Sequence, residues 1–124
     1  RRGERGDATV ETVLAVPVLL LLIMAVIQAG LWFHGAHIVE AAAQEGASAG
    51  RVETGSATAA EERARAFVAH LSPSIAATAT IHATRTAEVI RVVVDGRVQQ
   101  LIPGLNLTVH GVAETPTERF RADR

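Results

Sequence analysis

Residues 13–27 read VLAVPVLLLLIMAVI, an apolar run with no charged side chain. Admitting Gln28 and Gly30 extends it to Phe33, a stretch of 21 residues. At about 1.5 Å per residue, a helix of that length covers roughly 30 Å, the thickness of a bilayer's hydrocarbon core. A helix apolar on all sides needs apolar surroundings on all sides. The rest of this 124-residue chain is too small to wrap it, so a membrane is the expected surrounding. A cleaved secretory signal is the competing reading. Its apolar core is usually about 7–15 residues long, and here an Ala-rich helical pattern follows the run directly.

The flanks set the orientation. Arg1, Arg2 and Arg5 precede the run, and the next Arg is Arg51. Basic residues near a span favour the cytoplasmic side, so the N-terminus is expected inside and the C-terminal domain outside the cytoplasm. Trp32 and Phe33 then fall at the outer interface, where amphipathic rings are favoured. Pro17 should kink the first half of the span or loosen a hydrogen bond there.

Beyond the span the chain stays helical in style but changes composition. Ala41, Ala42, Ala43, Gly46, Ala47, Ser48, Ala49 and Gly50 form a small-residue stretch. Ala42, Gly46 and Gly50 recur every fourth residue and would let another helix approach closely. The bland alternative is a weakly helical linker, because glycine costs about 1 kcal/mol in a helix. Helix is expected to about residue 50, with a break around Gly55. Thr58-Ala-Ala-Glu61 then reads as a capping box. Ala64, Phe67, Val68 and Leu71 follow on one helical face, with Glu61 and Arg65 one turn apart on the exposed side. Ser72-Pro73 should end this helix.

The period then shortens to two. Ala77, Ala79, Ile81 and Ala83 alternate with polar residues, Ile90, Val92 and Val94 follow, and Leu105, Leu107 and Val109 alternate again. These predict three short strands, with turns at Asp95-Gly96 and Pro103-Gly104. Together the patterns predict an α+β fold. A long N-terminal transmembrane helix runs on into an Ala/Gly-rich helix, and a second amphipathic helix and a small antiparallel sheet complete it. The expected divisions are a helix over 7–52, an extracytoplasmic α+β domain over 53–114 and a polar, frayed tail over 115–124.

Composition excludes several functions. Net charge is −1, and all 12 basic residues are Arg. No basic patch is present, so no nucleic-acid partner is expected. The absence of cysteine removes disulfides, thiolate metal sites and cysteine nucleophiles. His34, His37 and Glu40 fall at i, i+3 and i+6, which turns the third group well off the face of the first two. A polar belt beside the membrane is the expected reading, with no metal and no cofactor. His70, His82 and His110 read as isolated. No catalytic triad, phosphate loop or paired acids are evident, so no enzyme is expected.

Glu11 is the anomaly. A carboxylate costs about 2.5–3.5 kcal/mol at a bilayer's centre and less near its edge. Residue chemistry alone leaves two readings open: a side chain reaching the headgroups, or one with a task.

A short basic leader, Gly6, Glu11 at the fifth residue after it, and a hydrophobic helix resemble the class III signal of type IV pilins and pseudopilins. The continuation RGDATVETVLAVPVLLLLIMAVIQAG and the later AAAQEGASAGR resemble TadE-like proteins of the tight-adherence (Flp) pilus system. This resemblance is specific over about residues 3–51. It implies that residues 1–6 are a leader, cut between Gly6 and Asp7 by a membrane-embedded prepilin peptidase. It further implies that Glu11 is an assembly or processing determinant and that Ala42, Gly46 and Gly50 pack against other pilin subunits. The implied protein is a minor pilin or pseudopilin working with membrane lipid, other pilins and an inner-membrane assembly platform. The alternative is an uncleaved membrane-anchored adaptor that binds extracytoplasmic partners.

Overall fold

The computed structural model describes residues 2–118. Its first element, α1 (Arg2–Arg51), is one continuous helix of 50 residues, about 75 Å long at the standard rise. It runs through Pro17. A break leads to α2 (Ala57–Leu71), then to the short α3 (Pro73–Ala76), β1 (Thr80–Arg85), β2 (Val89–Arg97) and β3 (Thr108–Pro116). The strands form an antiparallel sheet in the order β1-β2-β3, so the predicted α+β class holds.

The two halves of α1 meet different surroundings. Between Val10 and Ile27 the large apolar side chains point into open space, Val26 being 70% exposed. From Gln28 onward the helix carries the domain. Gly35, Ile38, Val39, Ala42, Ala43, Gly46, Ala47 and Gly50 are buried, a stripe with the 3.6-residue helical period. Onto it pack Ala60, Ala64 and Val68 of α2, and Ile81, Ala83, Ile90, Val92, Val94 and Val109 of the sheet. Small residues on α1 bring backbones close. The core is therefore thin, and it is filled by β-branched and alanine side chains.

Direction along α1 organises the domain. Gly50 faces Ile90, Gly46 faces Val92, and Gly35 faces Val98 and Val109. The strand β2 thus runs down the helix toward the exposed span, and β3 returns upward. At the upper end, the terminal carbonyls of α1 need partners. Arg85 supplies them, donating from Nε to the Gly50 carbonyl (2.9 Å) and from a guanidinium nitrogen to that of Val52 (3.1 Å). A cation there also faces the negative end of the helix dipole.

Several sequence expectations shift. The cap of α2 is Ser56, whose Oγ accepts from the Ala59 amide, rather than Thr58. Glu61 does not close a capping box: its carboxylate accepts from the Ala83 amide at 3.0 Å and so shields the outer edge of β1. Leu71, placed on the apolar face, is 49% exposed. Ser72-Pro73 ends α2 but also starts α3, with Ser72 capping the Ile75 amide and Pro73 in the first turn. Ala77 therefore belongs to a helix end, and β1 begins only at Thr80.

Asp95-Gly96 is not a turn. Both residues lie inside β2, opposite His110 and Val109, and a Cβ on Gly96 would sit 2.7 Å from the Ile75 side chain. The β1–β2 connection is made by Thr86, whose Oγ1 accepts from the Glu88 and Val89 amides. Pro103-Gly104 does turn the chain: Gly104 has φ +83 and the Leu105 amide donates to the Ile102 carbonyl. The third strand starts three residues later than Leu105 and runs through Thr115 and Pro116, which pair with Ile90 and Val89. Residues 115–118 are thus held in place: the Glu118 amide donates to the Arg51 carbonyl and its carboxylate pairs with the Arg51 side chain. The remainder of the expected tail, 119–124, and Arg1 of the expected leader lie outside the described residues.

Candidate functional site: the bare half of the long helix and its junction with the domain

The segment with the least intramolecular reason to exist is 6–27. Every side chain in it is exposed except the half-buried Met24. Gly6, Asp7 and Glu11 stand on its first turns, all exposed. Asp7 and Glu11, four residues apart, share a helical face. Thr12 Oγ1 donates to the Ala8 carbonyl at 2.9 Å, which satisfies a hydroxyl without leaving the helix. The length and composition of α1 suffice to cross a membrane, and none of its most apolar window is covered by the rest of the chain.

Gln28 marks where the bare helix ends. It is 2% exposed. Its Nε2 donates to the Gln99 carbonyl (3.1 Å) and its Oε1 accepts from the Leu101 amide (2.8 Å). One amide side chain therefore satisfies two backbone groups just below β2. Trp32, one turn further on, donates from Nε1 to the Thr108 carbonyl at 3.0 Å and sits edge-on to Phe33. The only sequence signal for this clamp is a glutamine in an otherwise apolar run; its partners, 71 and 73 positions away, are set by tertiary structure.

Gln28→Leu keeps the volume but leaves a carbonyl and an amide without their partner, a cost of about 1–3 kcal/mol when such groups are buried. Amide exchange at Leu101 in the solubilised chain should accelerate, while β2–β3 amides stay protected. Unchanged exchange at Leu101 would mean that the clamp holds nothing.

The small-residue seam has a partner within the chain. A Cβ on Gly46 would lie 2.7 Å from the Ala60 carbonyl oxygen and 3.0 Å from the Ala64 Cβ, and one on Gly50 would lie 2.8 Å from the Ala60 Cβ. Ala42 is fully buried. The close helix approach foreseen at these positions is made by α1 with its own α2, and this face is filled within the chain.

His34, His37 and Glu40 are exposed on α1. Among the described residues no three His, Cys, Asp or Glu side chains converge as ligands. His110 is not isolated, since its Nδ1 pairs with Asp95 across the β2–β3 ladder on the outer face of the sheet. Both side chains are more than half exposed, so the pair adds little stability.

These features define a class: a small α+β domain mounted on the C-terminal half of one long helix, whose N-terminal half has the length and apolarity of a single-pass membrane anchor. The particular relation is narrower. Residues 6–48 match the family model described as TadE-like protein, the family that the sequence resembles. The match covers the bare helix and most of the buried stripe, and stops before α2 and the sheet. No curated protein and no solved structure matches the chain.

Proposed function

We propose that this chain is a minor pilin or pseudopilin that takes part in assembling a tight-adherence (Flp-type) pilus or a related secretion apparatus. The observation that carries this reading is the TadE-like match over residues 6–48, which includes the segment 6–27 whose apolar side chains the rest of the chain leaves exposed. Lipid covers that surface first, and the helices of neighbouring subunits replace lipid on assembly. The role is structural rather than catalytic. Three arginines before the span and none until Arg51 support a cytoplasmic N-terminus and an extracytoplasmic domain. Gly6 and Asp7 flank the processing point, and Glu11 serves assembly.

A photo-crosslinking residue at Leu19, on the exposed helix, tests the reading in native membranes. Crosslinks to Flp-type pilin or to assembly-platform proteins are expected. A cysteine at Glu88, at the end of the domain remote from the span, should react with an impermeant thiol reagent from the extracytoplasmic side. Crosslinks to lipid alone would favour an uncleaved anchored adaptor, and labelling only after lysis would reverse the topology.

A further inference from the structure

Residues 98–109 read VQQLIPGLNLTV, twelve positions without a charged side chain. The first ten of them, 98–107, form the link between β2 and β3, and this link is built rather than slack. The Val98 amide donates to the Leu107 carbonyl at 3.1 Å, and the Leu105 amide to that of Ile102 at 3.1 Å. Gln100 Nε2 donates to the Ile102 carbonyl at 3.0 Å. Gln28 and Trp32 then fasten the two arms of the loop to α1.

The place of attachment is what matters. Gln28 directly follows Ile27, where the continuous run of exposed large apolar side chains ends. From Val10 to Gln28 is about 27 Å along the helix axis, close to the roughly 30 Å of a hydrocarbon core. The loop is therefore held against α1 at the level where the hydrocarbon ends. Its tip carries Ile102, Pro103 and Leu105, with Leu105 38% exposed. Leu71 and Phe33, also largely exposed, belong to the same lower end of the domain. The opposite end is charged, with Arg51, Glu53, Glu88 and Glu118. An apolar tip on a fixed loop beside a span, in a stretch of ten residues (98–107) without a charged side chain, matches a surface that faces lipid.

We propose that the 98–107 loop is a second membrane contact, whose Ile102–Leu105 turn dips into the border of the bilayer on the domain's side, beside α1. The occupant is phospholipid, met as a continuation of the lipid-covered surface of the helix. This contact fixes how the domain leans on the membrane and holds the apolar tip away from water until assembly begins. The inference rests on reading α1 as a bilayer span, and it holds for either orientation of the chain.

The natural absence of cysteine permits a clean test with the full chain in phosphatidylcholine vesicles. Single-cysteine variants Leu105→Cys, Leu19→Cys and Glu88→Cys are each given a nitroxide. Accessibility to oxygen, which concentrates in lipid, is compared with accessibility to a water-soluble nickel chelate. Positions 19 and 105 should favour oxygen several-fold, with 105 shallower, and position 88 should favour the chelate. If 105 behaves like 88 while 19 reads as lipid, the loop stands in water and the inference fails while the span remains. If 105 is shielded from both agents, protein covers it and the lipid contact is equally refuted. If 19 reads as water, the span and the loop contact fall together.

Discussion

Gly111→Val should detach the sheet from α1. A Cβ at position 111 would sit 2.5 Å from the carbonyl carbon and oxygen of Val39 and 2.7 Å from the Glu40 nitrogen. Those are backbone atoms inside a helix, so no rotamer change relieves the clash. Either β3 must move out or α1 must bend, and both open the layer formed by Val39, Val92, Val94 and Val109. Overpacking usually costs about 1–3 kcal/mol, occasionally more, and an unyielding neighbour places this site at the upper end, about 3 kcal/mol or beyond. Small domains have only about 5–15 kcal/mol in all. Limited proteolysis of the solubilised chain should cut within α2 and the sheet of the variant while the parent resists. Gly50→Ala should be milder: its nearest obstacle is the tip of Ile90, which can rotate, although the Ala60 Cβ behind it cannot. Parent-like resistance in Gly111→Val would show that the contact between α1 and β3 is looser than the geometry requires.

The second large effect is expected at Glu11. Cleavage after Gly6 would place a new α-amino group on Asp7, mostly protonated at neutral pH. Glu11 lies one helical turn beyond it, and both positions are exposed along a bare helix. The carboxylate can meet its own chain's amine or that of a neighbouring subunit. In apolar surroundings opposite charges attract far more than in water, and an unpaired carboxylate is heavily penalised. On the proposed reading, misregistered subunits would leave Glu11 without a partner, so the residue would select axial stagger. Glu11→Val should insert normally yet lose crosslinking from position 19 to other pilins. Gly6→Ile should instead retain the leader. Normal piliation by the Glu11→Val variant would reduce Glu11 to a carboxylate that merely reaches the headgroups.

Features that depend on one element were readable in the sequence; features that depend on two were not. The span and α2 declare themselves through uniform apolarity and a 3.6-residue period, because each signal is local. Asp95-Gly96 misleads because the same dipeptide that suits a turn also suits a strand where a neighbour, Ile75, needs the space of a missing side chain. Pro73 was legible as a stop, yet the same fixed φ that ends one helix pre-organises the first turn of the next. The third strand was displaced because Leu105 and Leu107 continue its alternation into a loop that follows Gln28 and Trp32 rather than the ladder. Small residues at 42, 46 and 50 announced a close approach but not its partner, since nothing local distinguishes the chain's own α2 from a second subunit's helix. The bare helix, by contrast, was visible from the start, because it is defined by what the rest of the chain does not cover.

The measurement closest to the central claim is the intact mass and N-terminal residue of this protein isolated from its native membranes, beside the Gly6→Ile variant. An assembly subunit of the proposed kind should begin at Asp7, while the variant keeps the residues before it. A native protein that retains the segment through Gly6, with a mass unaffected by Gly6→Ile, would contradict the account and leave a membrane-anchored adaptor in its place.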